Sequence, residues 1–275
     1  MPNAAKRFLV GKVRDTFNDQ SSGERPVERR PDGLFGPQSV AWRVHGDVTS
    51  MMVGGISALL LQMLHPAVLG GVWDHSNFRS DMHGRLRRTA RFIALTTYGG
   101  TDEAIDAIAR VRTIHGQVRG ALPDGTQYCA DDPALLTWVH VTESVSFLNA
   151  WIRYAEPAMS MKDRDRYFAE VAVVAEKLGA DDVPRSHAQT LQTIAAMRQQ
   201  LRADERTREV AALVLKRARQ TSLDAIPLGL MQQAAVDLLP FWARRMHRLP
   251  SSGVTRPIVS GGTFALAGML RWAFR

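Results

Sequence analysis

Only one cysteine, Cys129, occurs in the 275 residues. A single thiol closes no internal disulfide and builds no multi-cysteine metal site. Its rarity fits a reducing compartment, and a cytoplasmic location is the expectation. Long apolar runs are also missing. The longest, Met51 to Leu64, is interrupted by Gly54, Gly55, Ser57 and Gln62. It falls short of the roughly 18 apolar residues of a membrane span and reads as a buried helix. Met1 to Arg14 has lysine and arginine but no continuous apolar core behind them, so it does not read as a signal peptide. No convincing period-2 strand appears, and therefore no strand for a glycine-rich phosphate loop to follow. Fixed-period repeats and low-complexity tracts are absent as well. The last absence is local: from Pro240 to Arg275 there is no acid, against six arginines.

What is present is ordinary for a globular chain: 45% apolar and 23% charged residues, with a formal net charge of +8. No helix-turn-helix, zinc-finger or RNA-recognition signature accompanies the positive charge, so no nucleic-acid partner is expected. The basic C-terminal segment also carries Phe241, Trp242, Phe264, Leu266, Met269, Leu270, Trp272 and Phe274. Two readings stand. Basic plus aromatic residues form a membrane-surface element, giving peripheral membrane contact. Alternatively, the arginines solvate one face while the aromatic side chains close the core.

Residues 1–38 are polar and rich in turn signals, including Ser21-Ser22-Gly23, Pro31-Asp32-Gly33 and Gly36-Pro37, and read as an N-terminal arm. A helical domain follows over 39–249, then a basic and apolar tail over 250–275. Apolar spacing predicts helices near 40–64, 66–77, 82–97, 102–119, 133–155, 161–178, 187–201, 205–220, 228–247 and 261–273. Asp132-Pro133, Ser160 and Ser186 are start signals, and Gly99-Gly100, Gly120 and Gly179 are stop signals. The fold class is therefore all-α, a single helical domain.

Within it, polar residues embedded in apolar helices need a partner or a ligand. His115 shares a helical face with Ile108, Val111 and Val118, and Arg119 follows at i+4. An imidazole in an apolar wall with a cation one turn away could hold a haem, nitrogen to iron and guanidinium to a propionate. The plainer alternative is a buried, hydrogen-bonded histidine. Arg85 and Thr89 are also i,i+4 and could donate together to a propionate, a bound oxygen or a carboxylate. Arg87 and Arg91 are expected to point into water. His140 and Glu143 read as a buried hydrogen-bonded pair, His65 as structural, and Gly54-Gly55 as permitting close approach of a helix or a haem. A thiolate-ligated haem on Cys129, a di-iron bundle and a zinc site all lack their motifs.

Five motifs then occur in order. They are Leu61-Gln62-x-x-His65-Pro66, Gly71-Val72-x-x-His75-Ser76-x-Phe78 and Gly84-Arg85-Leu86-Arg87-Arg88-Thr89. Next come His115-x-x-Val118-x-Gly120 and Tyr128-x-Ala130-x-Asp132-Pro133-x-Leu135-Leu136-x-Trp138-Val139-His140. Together they resemble the DUF2236 family, which includes the rubber oxygenases (latex clearing proteins) and the MpaB-type oxygenases of fungal terpenoid-phenol biosynthesis. The resemblance covers roughly residues 40–178, with a weaker continuation to about 249. It implies a globin-like helical core, a b-type haem and an axial ligand at His115. It also implies a distal segment at Arg85 to Thr89, similar to the Arg-x-x-Lys-Thr of rubber oxygenases. There this sequence departs. Arg88 in the lysine's place stays protonated and has no lone pair for iron. For the carboxylate base of those enzymes the nearest candidate is Asp74, beside His75; the alternative is a surface or capping acid.

The expectation is thus a haem b-dependent oxidoreductase, an oxygenase acting on a hydrophobic small molecule with dioxygen or peroxide. His115 would be the iron ligand, Arg119 and Arg85 would bind the cofactor, and Arg85 and Thr89 would serve catalysis. The rivals are a non-catalytic haem carrier or sensor, and a haemless helical interaction protein.

Overall fold

The computed structural model of the protein describes residues 24–216 and 225–274, with positions 4, 6, 7, 10 and 11 of the N-terminal arm. The Ser21-Ser22-Gly23 turn and the end of the helix expected to reach 220 lie outside the described residues.

The domain is built from helices in chain order: α1 (Val40–His45), α2 (Val48–Gln62), α3 (Pro66–His75), α4 (Met82–Tyr98), α5 (Thr101–His115), α6 (Pro133–Tyr154), α7 (Met161–Leu178), α8 (His187–Met197), α9 (Glu205–Val214), α10 (Ala225–Leu238), α11 (Phe241–Met246) and α12 (Arg256–Phe274). The all-α single domain expected from periodicity is what forms.

Side-chain caps set the starts. Asp47 accepts from Ser50 N at 2.8 Å, Asp81 from Gly84 N at 2.7 Å, and Asp132 from Ala134 N at 2.8 Å with Pro133 behind it. Ser160 and Ser186 cap α7 and α8 as their sequence contexts suggest. Gly179 ends α7 with φ of 105°, which a side chain would strain.

Several boundaries differ from the periodic reading. The helix expected over 40–64 breaks at Gly46-Asp47, because Gly46 caps α1 and the Asp47 carboxylate starts α2. The stretch 228–247 breaks at Pro240, whose ring has no N–H for a continuous ladder. The helix expected to run to Arg119 stops at His115, with Gly116 rather than Gly120 as its cap. Two short antiparallel strands that periodicity missed follow, β1 (Arg119–Ala121) and β2 (Gln127–Cys129), in the register Arg119↔Cys129, Gly120↔Tyr128, Ala121↔Gln127. Three residues are too few to show alternation.

The centre of the fold is the crossing of α2 and α6. Both are buried on most sides, with Val53, Leu60 and Leu61 of α2 and Trp138, Val141 and Leu148 of α6 almost wholly covered. Gly54 makes the crossing close: a Cβ there would lie 2.8 Å from the Cα of Phe147. Each buried side chain of this crossing contributes at roughly 25 cal/mol per Å² of apolar surface removed from water. α10 and α12 pack on α2, and α7 and α8 on α6. The segment 250–275, set apart in the sequence as a tail, is mostly α12, and it belongs to this helical body. α4 differs from the rest. It packs chiefly on α5 and α1, and its Leu86, Phe92, Ile93 and Leu95 are only half-buried.

Candidate functional site

The hairpin that follows His115 is clamped to α3, and the motif residues explain how. Gly70 and Gly71 give it room: a Cβ on Gly70 would sit 3.0 Å from Leu122 and Tyr128, and one on Gly71 3.5 Å from Val118. Gly120 faces Tyr128, whose hydroxyl would be 2.5 Å from any Cβ there. The Tyr128 hydroxyl donates to Asp74 at 2.6 Å, and His75 Nε2 donates to the Arg119 carbonyl at 3.0 Å. Asp74 is therefore exposed and engaged in holding the hairpin, not a base within the interior. Val118 and Ala130 close the clamp through a 2.9 Å backbone bond.

This arrangement fixes His115 at the C-terminal end of α5. Ile108 on its face is buried, and Val111, His115 and Val118 are half-buried. The buried Nδ1 of His115 has no hydrogen-bond partner among the described residues. The plainer reading of a hydrogen-bonded core histidine is therefore not what this side chain shows. Burial lowers its pKa, with the charge of Asp131 opposing the shift, so the neutral ring is favoured. Arg119 is not one helical turn away. It lies on β1, exposed, with its guanidinium 3.0 Å from Asp131. The i+4 contact expected from the sequence does not form, because the helix ends at the histidine itself.

Arg85 is half-buried near the start of α4. It donates to Ser76 Oγ at 3.2 Å, which joins the second and third motifs. Burial, with repulsion from Arg88, depresses its pKa, and among the described residues no carboxylate answers it. Thr89 is exposed, and its hydroxyl donates back to the Arg85 carbonyl at 3.2 Å. Arg88 is exposed and reaches Asp81 at 3.4 Å and Asn77 at 3.3 Å. Arg91 was expected in water, but it donates to the Arg25 carbonyl at 2.9 Å and so ties α4 to the arm.

A further group of polar residues was largely missed from the sequence. Leu136, His140, Glu143 and Phe147 form one stripe along α6 at helical spacing. No hydrogen bond joins His140 to Glu143 among the described residues, contrary to the expected pair, and His140 Nε2 is buried without a partner. Burial pushes the Glu143 carboxyl up to about 7 and His140 down to about 4. Both side chains are half-buried, and burial alone accounts for the shift of each. The His45 ring packs edge-on against Phe147 of this stripe at 5.5 Å, with its Nδ1 2.8 Å from Thr97 Oγ1 and its Nε2 2.9 Å from the Tyr167 hydroxyl. Burial, then the charge of Glu143, raises the Tyr167 pKa. The carboxylate signal was in the sequence as a lone acid inside the apolar α6, but only the fold shows that it lacks a partner.

Among the described residues no three His, Cys, Asp or Glu side chains converge on a common metal position. A haem does not need them, since its macrocycle supplies four nitrogens and asks the protein for one axial ligand. The residues present fit such a group: a half-buried imidazole with an unpartnered Nδ1, a half-buried guanidinium with no carboxylate partner among the described residues, and a helix, α4, whose apolar side chains are only half-covered. A separate cleft of about 230 Å³ lies at the opposite face of α6, lined by Ser57, Val145, Ser146, Ile194 and Trp242 among others, and includes none of Arg85, Thr89, His115 or Arg119.

Neither a curated protein nor a solved structure matches the chain. A family model does, over residues 42–272: the catalytic domain shared by the ER-bound oxygenase MpaB/B′ and rubber oxygenase. That span takes in every motif described above and continues through α12. The chain therefore belongs to the MpaB/rubber oxygenase catalytic-domain family.

Proposed function

We propose that the protein is a haem b-dependent oxygenase acting on a hydrophobic small molecule with dioxygen or peroxide. The observation that carries this reading is the buried, unpartnered Nδ1 of the half-buried His115, in a His-x-x-Val segment within the family match. Leaving a buried ring nitrogen without a partner costs free energy, and an axial bond to iron would repay it. Bound there, the haem would supply the iron at which an oxidant reacts.

The chain's own residues have separable tasks. His115 would hold the iron in its neutral form, which desolvation favours. Arg85, a cation without a carboxylate, would meet a propionate or another anionic edge. It is better placed for this than Arg119, which Asp131 already neutralises. Thr89 would have to give up its bond to the Arg85 carbonyl before its hydroxyl could orient oxygen or substrate. Glu143, which burial holds protonated up to about pH 7, could give or take a proton near neutrality.

The test is absorption spectroscopy of protein expressed with ample haem precursor, followed by a pyridine haemochrome assay. One noncovalent b-type haem per chain is expected, removable by acid–ketone extraction. Colourless protein that also fails to bind haem on reconstitution would refute the proposal.

A further inference from the structure

The outer face of α12 carries no charge from Pro257 to Trp272. Every exposed position in that span is apolar or glycine: Pro257, Ile258, Gly261, Phe264, Ala265, Gly268, Met269 and Trp272. With Val254 in the preceding turn they recur at helical spacing and form one continuous stripe. Val254 is 96% exposed, Ile258 71% and Phe264 52%. Among the described residues, seven of the eleven exposed large hydrophobic side chains fall between Phe241 and Phe274. The inner face is also apolar and is spent on the core through Val259, Ala267 and Leu270. The one charge in the second half of the helix, Arg271, turns inward to Asp47 at 2.6 Å and the Tyr154 carbonyl at 2.7 Å, which keeps the outer stripe free of charge.

The surroundings of the stripe are basic. Arg245 is exposed on α11, Arg248 in the connection that follows it, and Arg256 at the start of α12. The nearest preceding acid, Asp237, is occupied by Ser252 N at 3.0 Å and by the Ser252 hydroxyl. Among the described residues no single helix is long and apolar enough to cross a membrane. We propose that α12 lies in the plane of an anionic lipid surface, its stripe in the boundary between headgroups and acyl chains and the arginines against lipid phosphates.

Charge selects this occupant over others. A second copy would bring the same basic surroundings against themselves. The stripe is about 27 Å long and about 10 Å wide, far below the roughly 800 Å² per partner of a stable dimer. Among the described residues of the arm, Lys6 lies 4.9 Å from the Trp272 ring centre at the end of the stripe, and Trp272 stays 44% exposed. The proposal stands independently of the haem.

Co-sedimentation of the full chain with vesicles tests it, using phosphatidylcholine alone and phosphatidylcholine with phosphatidylserine. Binding to the anionic vesicles should exceed binding to the neutral ones at least tenfold at low salt and fall as salt rises. The double variant Ile258→Gln, Phe264→Gln alters only exposed side chains and should keep its melting curve while losing at least tenfold in partitioning. Ile105→Gln, an exposed hydrophobic elsewhere, should bind like the parent. No anionic-vesicle binding, or unchanged binding by a folded double variant, overturns the proposal. So does a dimer in sedimentation equilibrium that the double variant dissolves, since a second copy would then cover the stripe.

Discussion

Arg271 and Asp47, separated by 224 positions in sequence, meet at 2.6 Å and join the last helix to the start of the central one. One Asp47 carboxylate oxygen caps α2 through Ser50 N at 2.8 Å and Ser50 Oγ at 2.6 Å; the other takes the guanidinium. Asp47 is 5% exposed, so removing the arginine leaves a carboxylate short of a counter-charge in a place water barely reaches. Arg271→Ala should lower unfolding stability by about 2–4 kcal/mol, less than for a wholly buried pair because the arginine keeps partial exposure. Asp47→Ala should cost a similar amount through the lost cap and pair together. Urea denaturation checks both, and a change within about 0.5 kcal/mol for Arg271→Ala would assign the pair no structural role.

Glu143 predicts a pH dependence with a definite sign. Its folded pKa, about 7, lies above the ordinary carboxylate value, so the folded state binds the proton more tightly. Stability from this group is present at low pH and is lost as pH rises from about 4.5 to about 7. Over that window the loss amounts to about 3 kcal/mol. His140, pushed down to about 4, acts in the other direction between about 4 and 6.5 and masks part of the slope. Glu143→Gln removes the carboxyl without removing its shape. The stability of Glu143→Gln relative to the parent should therefore increase between pH 5 and pH 8. Parallel profiles for the two proteins would mean that Glu143 is not held neutral by burial.

On the proposed function, the two unpartnered imidazoles should behave differently. His115→Ala should lose the haem or its iron–imidazole spectrum. His140→Ala should retain the ligand set, whatever it costs in stability. The reverse result would move the axial role to α6. Arg85→Ala and Thr89→Val should stay red and lose turnover per haem; loss of haem with unchanged turnover per haem would confine Arg85 to holding the cofactor and make Thr89 structural.

Much of this architecture is local and could be read from residues in order. Asp132-Pro133, Ser160, Ser186 and Gly179 mark helix ends by chemistry that acts within a few residues, and they appear where expected. The five motifs identify the family without any structure, because their order and spacing are properties of the sequence. Failures began where a partner lay far away in the chain. Arg119 followed His115 at a helical interval, yet Gly116 ended the helix and Asp131 took the guanidinium. Asp74 looked available as a base until Tyr128, 54 residues on, proved to hold it. His140 and Glu143 sat at pairing distance along α6 and do not pair. Their surroundings are set by which helices pack over α6, and helix spacing is decided by packing rather than propensity. The sequence by itself determined the helical class, the caps and the family, because those depend on neighbours within a turn or on motif order. Only the tertiary structure decided which buried groups stay unpartnered, because desolvation and pairing depend on every element that closes over a side chain.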